Sequence, residues 1–204
     1  MYTERETWLA AAAVLIAQDV FAPVQIPELT ARYRVSCGFP IGYRGSRTGK
    51  TVVLGQAFDP AVSADGTHEL FINPLLDAPG DVLGVLVHEL LHVHAGIQCG
   101  HRGEFARAAR AVGLEGALTA TVPGAALRKV LEGIAEILGP YPHAKVDPSL
   151  RKKQTTRLLK LWCGHCDWVA RVSALQANRL SPGSHCPCCG IVGSLIVEGN
   201  ENAE

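Results

Sequence analysis

Residues 81–96 of the chain read DVLGVLVHELLHVHAG, an apolar run that carries three histidines and a glutamate. Asp81 follows a Pro-Gly turn and can cap a helix, and Gly96 is a typical helix stop. Because the residues between them are almost all apolar, the run predicts a helix that is buried on most sides. Positions four apart lie nearly one above the other on a helix, so His88 and His92 present two imidazoles on the same face.

His88, Glu89 and His92 form a His-Glu-x-x-His pattern, whose spacing suits a catalytic zinc site. Two imidazoles four residues apart can bind one tetrahedral zinc ion. Glu89 lies too far back to bind the metal, but it is placed to take a proton from a zinc-bound water, which would then hydrolyse an amide. The alternative is a pair of core histidines satisfied by backbone carbonyls. We favour the metal, since burying these groups without a partner costs several kcal/mol.

A catalytic zinc site usually has a third protein ligand, and His101 is the best candidate. It follows the predicted helix by a short loop that lets the chain turn back toward the metal. His94 is a competitor, but it lies about 200° around the helix from His92 and should point away. Glu104 and Cys99 are further alternatives, because carboxylates and thiolates also bind zinc.

Residues 88–92 (HELLH) and 100–105 (GHRGEF) together resemble the SprT-like, Spartan-type metallopeptidases, whose pattern is His-Glu-x-x-His, a variable loop and then His-Gly-x-x-Phe or Trp. Arg102 departs from that pattern, since it stands before the glycine. Residues 72–76 resemble the strand and turn before the active helix of that family, and the segment after residue 139, with its four-cysteine tail, resembles bacterial and phage members. The resemblance implies a zinc endopeptidase that works on proteins held at DNA.

The first 140 residues are predicted to form an α+β, zincin-like metallopeptidase domain, with an N-terminal helix, a small sheet, the zinc helix and further helices. In such folds an exposed strand near the metal can pair with an extended substrate through main-chain hydrogen bonds, and we expect the strand at 68–72 to do this. The predicted elements besides the zinc helix are a first helix to about Phe21, strands at 32–36, 51–54 and 68–72, and helices near 104–112 and 123–138.

Residues 141–157 are predicted to be a basic linker. A basic run of this kind is usually a solvated linker. The alternative is that it binds the phosphates of nucleic acid. Tyr141 and His143 are candidates for stabilising the oxyanion of the tetrahedral intermediate, as a Tyr or His does in many zincins. The candidates for nucleic-acid contacts are Arg151, Lys152, Lys153, Arg157 and Lys160.

Residues 158–204 are predicted to form a small β zinc ribbon. Two cysteine pairs, Cys163 with Cys166 and Cys186 with Cys189, have the spacing of a structural zinc site that supplies folding free energy. Disulfides are the alternative, but they require an oxidising compartment. The other ligands that could replace one of the four are Cys188, His165 and His185.

The chain has 204 residues, of which 48% are hydrophobic, and no formal net charge. This length and composition allow one domain with a core and a small appendage. Zero net charge indicates no overall attraction to nucleic acid or membrane, so any such attraction must be local. The apolar run at 8–17 lacks a cleavage site and is too short to span a bilayer. We therefore expect a cytoplasmic protein without a membrane partner, in the host cytoplasm if a phage encodes it.

Two functions from different classes follow from these patterns. The first is a zinc endopeptidase with one catalytic and one structural zinc, which acts on DNA-associated protein substrates. The second is a non-catalytic adaptor for nucleic acid or protein, in which both zinc ions are structural. Glu89 discriminates between the two, because only the peptidase needs a general base.

Overall fold

The computed structural model describes residues 2–40, 52–147, 150 and 158–198. Contacts divide the chain into two compact units, Met1–Ser149 and Leu150–Glu204. Each unit combines helix with small β-sheets, which confirms the predicted α+β class. The predicted nucleic-acid contacts Arg151, Lys152, Lys153 and Arg157 lie outside the described residues.

The first unit opens with α1, Arg5–Ile16, which continues as a π-helical turn and a 3-10 turn to Val24. With this continuation, the stretch Arg5–Val24 is long and apolar enough to cross a membrane, by length and composition only. The shorter run at 8–17, on which the expectation from the sequence rested, is too short to do so. The side chains of Trp8, Leu9 and Ile16 are fully buried in the core of the unit. Such burial is typical of a packing helix in a folded domain.

A three-stranded sheet follows, made of β1 (Tyr33–Cys37), β2 (Gly55–Ala57) and β3 (His68–Ile72) in the order β1-β3-β2. β3 pairs with β1 in parallel and with β2 antiparallel. Two predictions are corrected here. The strand predicted at 51–54 begins later, at Gly55, and residue 51 lies outside the described part. β3 cannot pair with a substrate, because β1 and β2 occupy both of its edges; among the described strands, β1 and β2 lie at the edges of this sheet.

Helix α2, Pro79–Ala95, lies at the centre of the first unit. It begins two residues before Asp81, the predicted cap, because a proline is well suited to the first helical position. Ten of its 17 residues are buried, including Leu83, Leu86 and Leu90, which have no exposed surface. The helix contacts α1, α4, β2 and β3, so its position is set from several sides.

Helix α3, Gly103–Ala111, and helix α4, Ala125–Leu138, are joined by a β-hairpin that the sequence patterns did not predict. The hairpin consists of β4, Leu114–Ala117, and β5, Ala120–Pro123. Its sequence has little alternation of polar and apolar residues, and most of its positions are half-buried or exposed. The hairpin is therefore held by its packing on α2, α3 and α4 and not by a hydrophobic face of its own.

The second unit contains a three-stranded antiparallel sheet in the order β7-β6-β8. A short helix, α5 (Ala174–Ala177), begins with a capping box between Ser173 and Gln176. The strands are β6 (Leu159–Cys163), β7 (Val169–Val172) and β8 (Leu195–Val197).

Candidate metal centres

The imidazole rings of His88, His92 and His101 converge in the first unit. Nε2 of His101 lies 3.2 Å from Nε2 of His88 and 3.2 Å from Nε2 of His92. Two nitrogens bound to a tetrahedral zinc at about 2.0–2.1 Å would lie about 3.3–3.4 Å apart. The three histidines form a group that could hold a metal ion, and their spacing is compatible with zinc.

Local backbone geometry brings His101 to the other two histidines. α2 presents His88 and His92 one turn apart, and His101 follows the 3-10 turn Ile97–Cys99. The glycines on either side of that turn, Gly96 and Gly100, have φ angles of 80° and 55°. Residues with a Cβ rarely adopt such angles, so the glycines allow the sharp reversal of the chain.

The competing third ligands face other partners. His94 lies 3.5 Å from the carboxylate of Glu104, which also pairs with Arg107. The thiol of Cys99 donates a hydrogen bond to the backbone carbonyl of Arg102 at 2.9 Å. Of the alternatives weighed from the sequence, the structure thus brings only His101 into the group with His88 and His92.

The three imidazoles lie in surroundings that keep them neutral. Burial lowers the pKa of His88 to about 4, with a further contribution from the neighbouring His101. Burial likewise lowers the pKa of His92 to about 3 and that of His101 below its usual value. A neutral imidazole has the free lone pair that a metal ligand requires, so protons do not compete with a metal near neutral pH.

Glu89 is buried beside these histidines, with 4% of its surface exposed. Burial raises the pKa of its carboxyl group to about 8, while a hydrogen bond from the backbone of Ala57 acts in the opposite direction. Gly55 lies directly over the carboxyl, since a Cβ at that position would be 2.5 Å from Oε1 of Glu89. Edge strand β2 therefore holds the carboxyl group in place.

A cavity of about 510 Å³ lies over the three histidines and Glu89. One side is formed by the segment that leads into and includes β2, and the other side by the turn and second strand of the hairpin. Its apolar side chains include Val53, Leu54, Val85 and Ile97, and the first two of these are exposed to 48% and 40%. A cavity with an apolar lining and a few convergent polar groups is typical of a binding site.

Two residues at this site were not among the site residues predicted from the sequence. Oγ1 of Thr121, on β5, lies 2.8 Å from Nδ1 of His88. Phe105, on α3, is fully buried, and its ring centroid lies 4.3 Å from that of His92 in a stacked arrangement. The Phe of the family pattern quoted above pointed to Phe105, but only as a position in a motif. Thr121 could not be found without the hairpin.

Tyr141 and His143 occupy a different place in the first unit. Tyr141 is buried with its ring 5.0 Å from the ring of Trp8. Nε2 of His143 donates a hydrogen bond to the backbone carbonyl of Pro74 at 2.9 Å. Neither residue lines the cavity over the histidines, so the expected oxyanion role has no support from this arrangement.

In the second unit, four cysteines form a group that could hold a metal ion: Cys163, Cys166, Cys186 and Cys189. Sγ of Cys163 lies 3.7 Å from Sγ of Cys189, and Sγ of Cys166 lies 3.7 Å from Sγ of Cys186. Two sulfurs bound to a tetrahedral zinc at about 2.3 Å would lie about 3.8 Å apart. All four cysteines are free thiols and not disulfides.

The alternative ribbon ligands lie outside the four-cysteine group, and two of them donate backbone hydrogen bonds to its sulfurs. The backbone N–H of His165 donates to Sγ of Cys163 at 3.3 Å, and that of Cys188 donates to Sγ of Cys186 at 3.4 Å. His185 forms an isolated β-bridge with Val192. Backbone hydrogen bonds to sulfur favour thiolates, which is what a zinc ligand must be.

Among the predicted nucleic-acid contacts, Lys160 is the one that falls within the described residues. It lies on β6, with its ammonium group 5.2 Å from the centre of the Trp162 ring. This contact is a cation–π interaction within the second unit.

No family model matches the chain, and neither a curated protein nor a solved structure matches it.

Proposed function

We propose that the first unit is a zinc-dependent endopeptidase with a zincin-like fold, similar to the SprT-like metallopeptidases that residues 88–92 and 100–105 resemble. The observation that carries the proposal is the spacing of the three Nε2 atoms in one cavity with the buried carboxyl of Glu89. A His-Glu-x-x-His helix with a third histidine is the arrangement of a metal-assisted hydrolase.

In this proposal His88, His92 and His101 hold the zinc through Nε2. When bound, the ion supplies Lewis-acid chemistry, which polarises a peptide carbonyl and makes water more acidic. Glu89 accepts the proton of the attacking water and then donates it to the leaving amine. A nearby cation would lower the raised pKa of this carboxyl, which brings it into the range where it can accept a proton at neutral pH.

The edge strand β2 suits an extended peptide as substrate. Phe58 and Leu54 use their backbone groups to bond β3, so the alternate residues Gly55 and Ala57 direct theirs to the other edge. The N–H of Ala57 donates to Glu89, and the backbone of Gly55 is the part of this edge that would pair with a substrate strand passing the histidines. Such pairing uses main-chain groups and makes little demand on substrate sequence.

The four-cysteine group supports a structural zinc ribbon, since a unit of this size has little core without a metal. Lys160 on its sheet and the basic residues 151–157 make nucleic acid the proposed partner. Together with the SprT-like resemblance, these features support cleavage of proteins that are held at DNA, in a bacterium or a phage-infected cell.

The full chain with Glu89→Gln tests the proposal. We expect two zinc ions per chain in the wild type and in this variant, and one in His101→Ala. Denatured casein is the substrate, with and without single-stranded DNA. The wild type should cleave it, and Glu89→Gln should be slower by about 10²–10⁴-fold, the usual contribution of a general base.

A wild type that holds two zinc ions but leaves casein intact under both conditions would contradict the peptidase. If a cellular phenotype of the wild type then also survives Glu89→Gln but not Cys163→Ser, the adaptor with two structural zinc ions is the correct function. The cysteine variant matters for this comparison because it removes the second unit's metal and leaves the first unit's residues unchanged.

A further inference from the structure

The β4–β5 hairpin is aligned with helix α2 at two points. Pro123 lies against Gly84, where an added Cβ would be only 2.8 Å from Cγ of the proline. Thr121 lies against His88, with its hydroxyl 2.8 Å from Nδ1 of the ring. Residues two apart on a strand are about 6.6–6.8 Å apart, and residues four apart on a helix are about 6 Å apart. Strand β5 and helix α2 therefore run side by side, and two residues along the strand span about the same distance as four residues along the helix.

We propose that Thr121 is a positioning residue for the metal site, which fixes the tautomer and the rotation of the His88 ring. Nε2 of His88 faces His101 and the point where the metal would lie. If Nε2 offers its lone pair to a metal, Nδ1 must carry the proton. Nδ1–H then donates to Oγ1 of Thr121, and the ring cannot turn about its axis without losing that bond.

The contact between Thr121 and His88 is set by how the backbone of the hairpin packs on helix α2. Gly84 allows the close approach of Pro123, and this approach places Thr121 at the height of His88, one turn further along the helix. Both partners are half-buried, so solvent does not simply replace the threonine hydroxyl. The hairpin thus orients the His88 ring through Thr121, which is not itself one of the three proposed metal ligands.

This inference rests on metal binding by the three histidines, as in the proposed function, but it does not depend on peptide hydrolysis. The test is the affinity of the full chain for Co²⁺ and Zn²⁺, measured by competition with a chelator of known affinity. Cobalt bound to four thiolates has strong charge-transfer absorption that histidine-bound cobalt lacks, so the two sites can be followed separately.

Three variants are compared with the wild type. Thr121→Val keeps the shape of the side chain and removes the acceptor, and we expect metal affinity at the histidine site to fall by about 10- to 100-fold. Thr121→Ser keeps the hydroxyl and should retain affinity close to that of the wild type. Val122→Ala is the control, because Val122 is the neighbour of Thr121 on the same strand, is 54% exposed and does not line the cavity over the histidines.

Equal affinity in Thr121→Val and the wild type would overturn the inference, as would an equal loss in the valine and serine variants. A nitrogen NMR spectrum of the metal-free wild type gives a measure that does not depend on any variant folding: His88 should carry its proton on Nδ1. A proton on Nε2 would overturn the inference. A histidine site that binds no metal at all would instead contradict the proposed function.

Discussion

The backbone N–H of Ala57 donates a hydrogen bond to the buried carboxyl group of Glu89. Ala57 is the last residue of edge strand β2, and Glu89 lies in the C-terminal half of α2, so this bond joins the sheet to the helix. Gly55, two residues earlier on the same side of the strand, also lies against Glu89 and Val85. The strand therefore determines where the carboxyl sits relative to the histidines.

Replacement of Gly55 by alanine should displace that carboxyl. The added Cβ would lie 2.5 Å from Oε1 of Glu89 and 2.5 Å from Cγ1 of Val85, so one or both side chains must move. A misplacement of about 1 Å in a reacting group can cost about 10²-fold in rate. We expect Gly55→Ala to lose casein cleavage by that order and to keep two zinc ions.

Gly80→Ala is the control for this variant. Gly80 lies in the first turn of the same helix, and a Cβ there would meet no atom within 4 Å. It should behave as the wild type in both assays. Full activity in Gly55→Ala would show that the carboxyl tolerates movement and is not positioned by β2.

The metal-free first unit should show two opposing effects of pH on its free energy of unfolding. Burial raises the pKa of Glu89 from 4.5 to about 8, so its contribution is present below pH 4.5 and is lost as the pH rises through 8. Burial lowers the pKa of His88 from 6.5 to about 4 and that of His92 to about 3. Their contribution is present above pH 6.5 and is lost as the pH falls through those values.

Glu89→Gln separates the two effects, because glutamine resembles the protonated carboxyl at every pH. In the presence of a chelator, the free energy of unfolding of Glu89→Gln should rise relative to that of the wild type as the pH increases from 5 to 8. The double variant His88→Gln, His92→Gln should instead lose less stability than the wild type on acidification from pH 6.5. Urea titrations at several pH values measure both, and parallel curves for variant and wild type would contradict these shifts.

Phe105 supports the histidine site by packing. Its ring is fully buried, and its centroid lies 4.3 Å from that of His92, 4.9 Å from that of His88 and 5.0 Å from that of His101. Truncation of a buried phenylalanine to alanine costs about 3–5 kcal/mol. We expect a loss of that size for Phe105→Ala in urea unfolding, together with weaker metal binding at the histidines.

Ile137→Ala is the comparison for Phe105→Ala. Ile137 is 69% exposed on α4, so its truncation should change the free energy of unfolding by no more than about 0.5 kcal/mol. Similar losses in the two variants would contradict the packing role of Phe105.

The fold of the second unit should depend on its metal. Cys166 and Cys186 belong to the four-cysteine group, with their sulfurs 3.7 Å apart. The sheet around them has few buried apolar side chains. Chelation, or Cys166→Ser, should therefore unfold β6 to β8, with a change in the fluorescence of Trp162 and Trp168. Cys188→Ser should keep the fold, since Cys188 is exposed and lies outside the group. Intact fluorescence in the metal-free chain would contradict a structural metal.

Local patterns predicted the parts of both sites that depend on neighbours in the chain. The i, i+4 spacing of His88 and His92 places two rings on one face of any helix, whatever surrounds it. The cysteine pairs are also local, since each Cys-x-x-Cys turn brings its two thiols together. The strands were harder to place: β2 begins four residues after the start of the stretch predicted for it, because it is short and its pairing with β3 sets its limits.

The sequence by itself determined the α+β class, the helix that carries His88, Glu89 and His92, and the cysteine pairs, since these follow from periodicity and short spacings. Only the tertiary structure decided that β3 is central and β2 an edge strand, that Tyr141 packs on Trp8, and that Thr121 reaches His88 from a hairpin 33 residues away. Those relationships depend on which surfaces pack together across the fold, and that choice is made by the whole core and not by any one stretch.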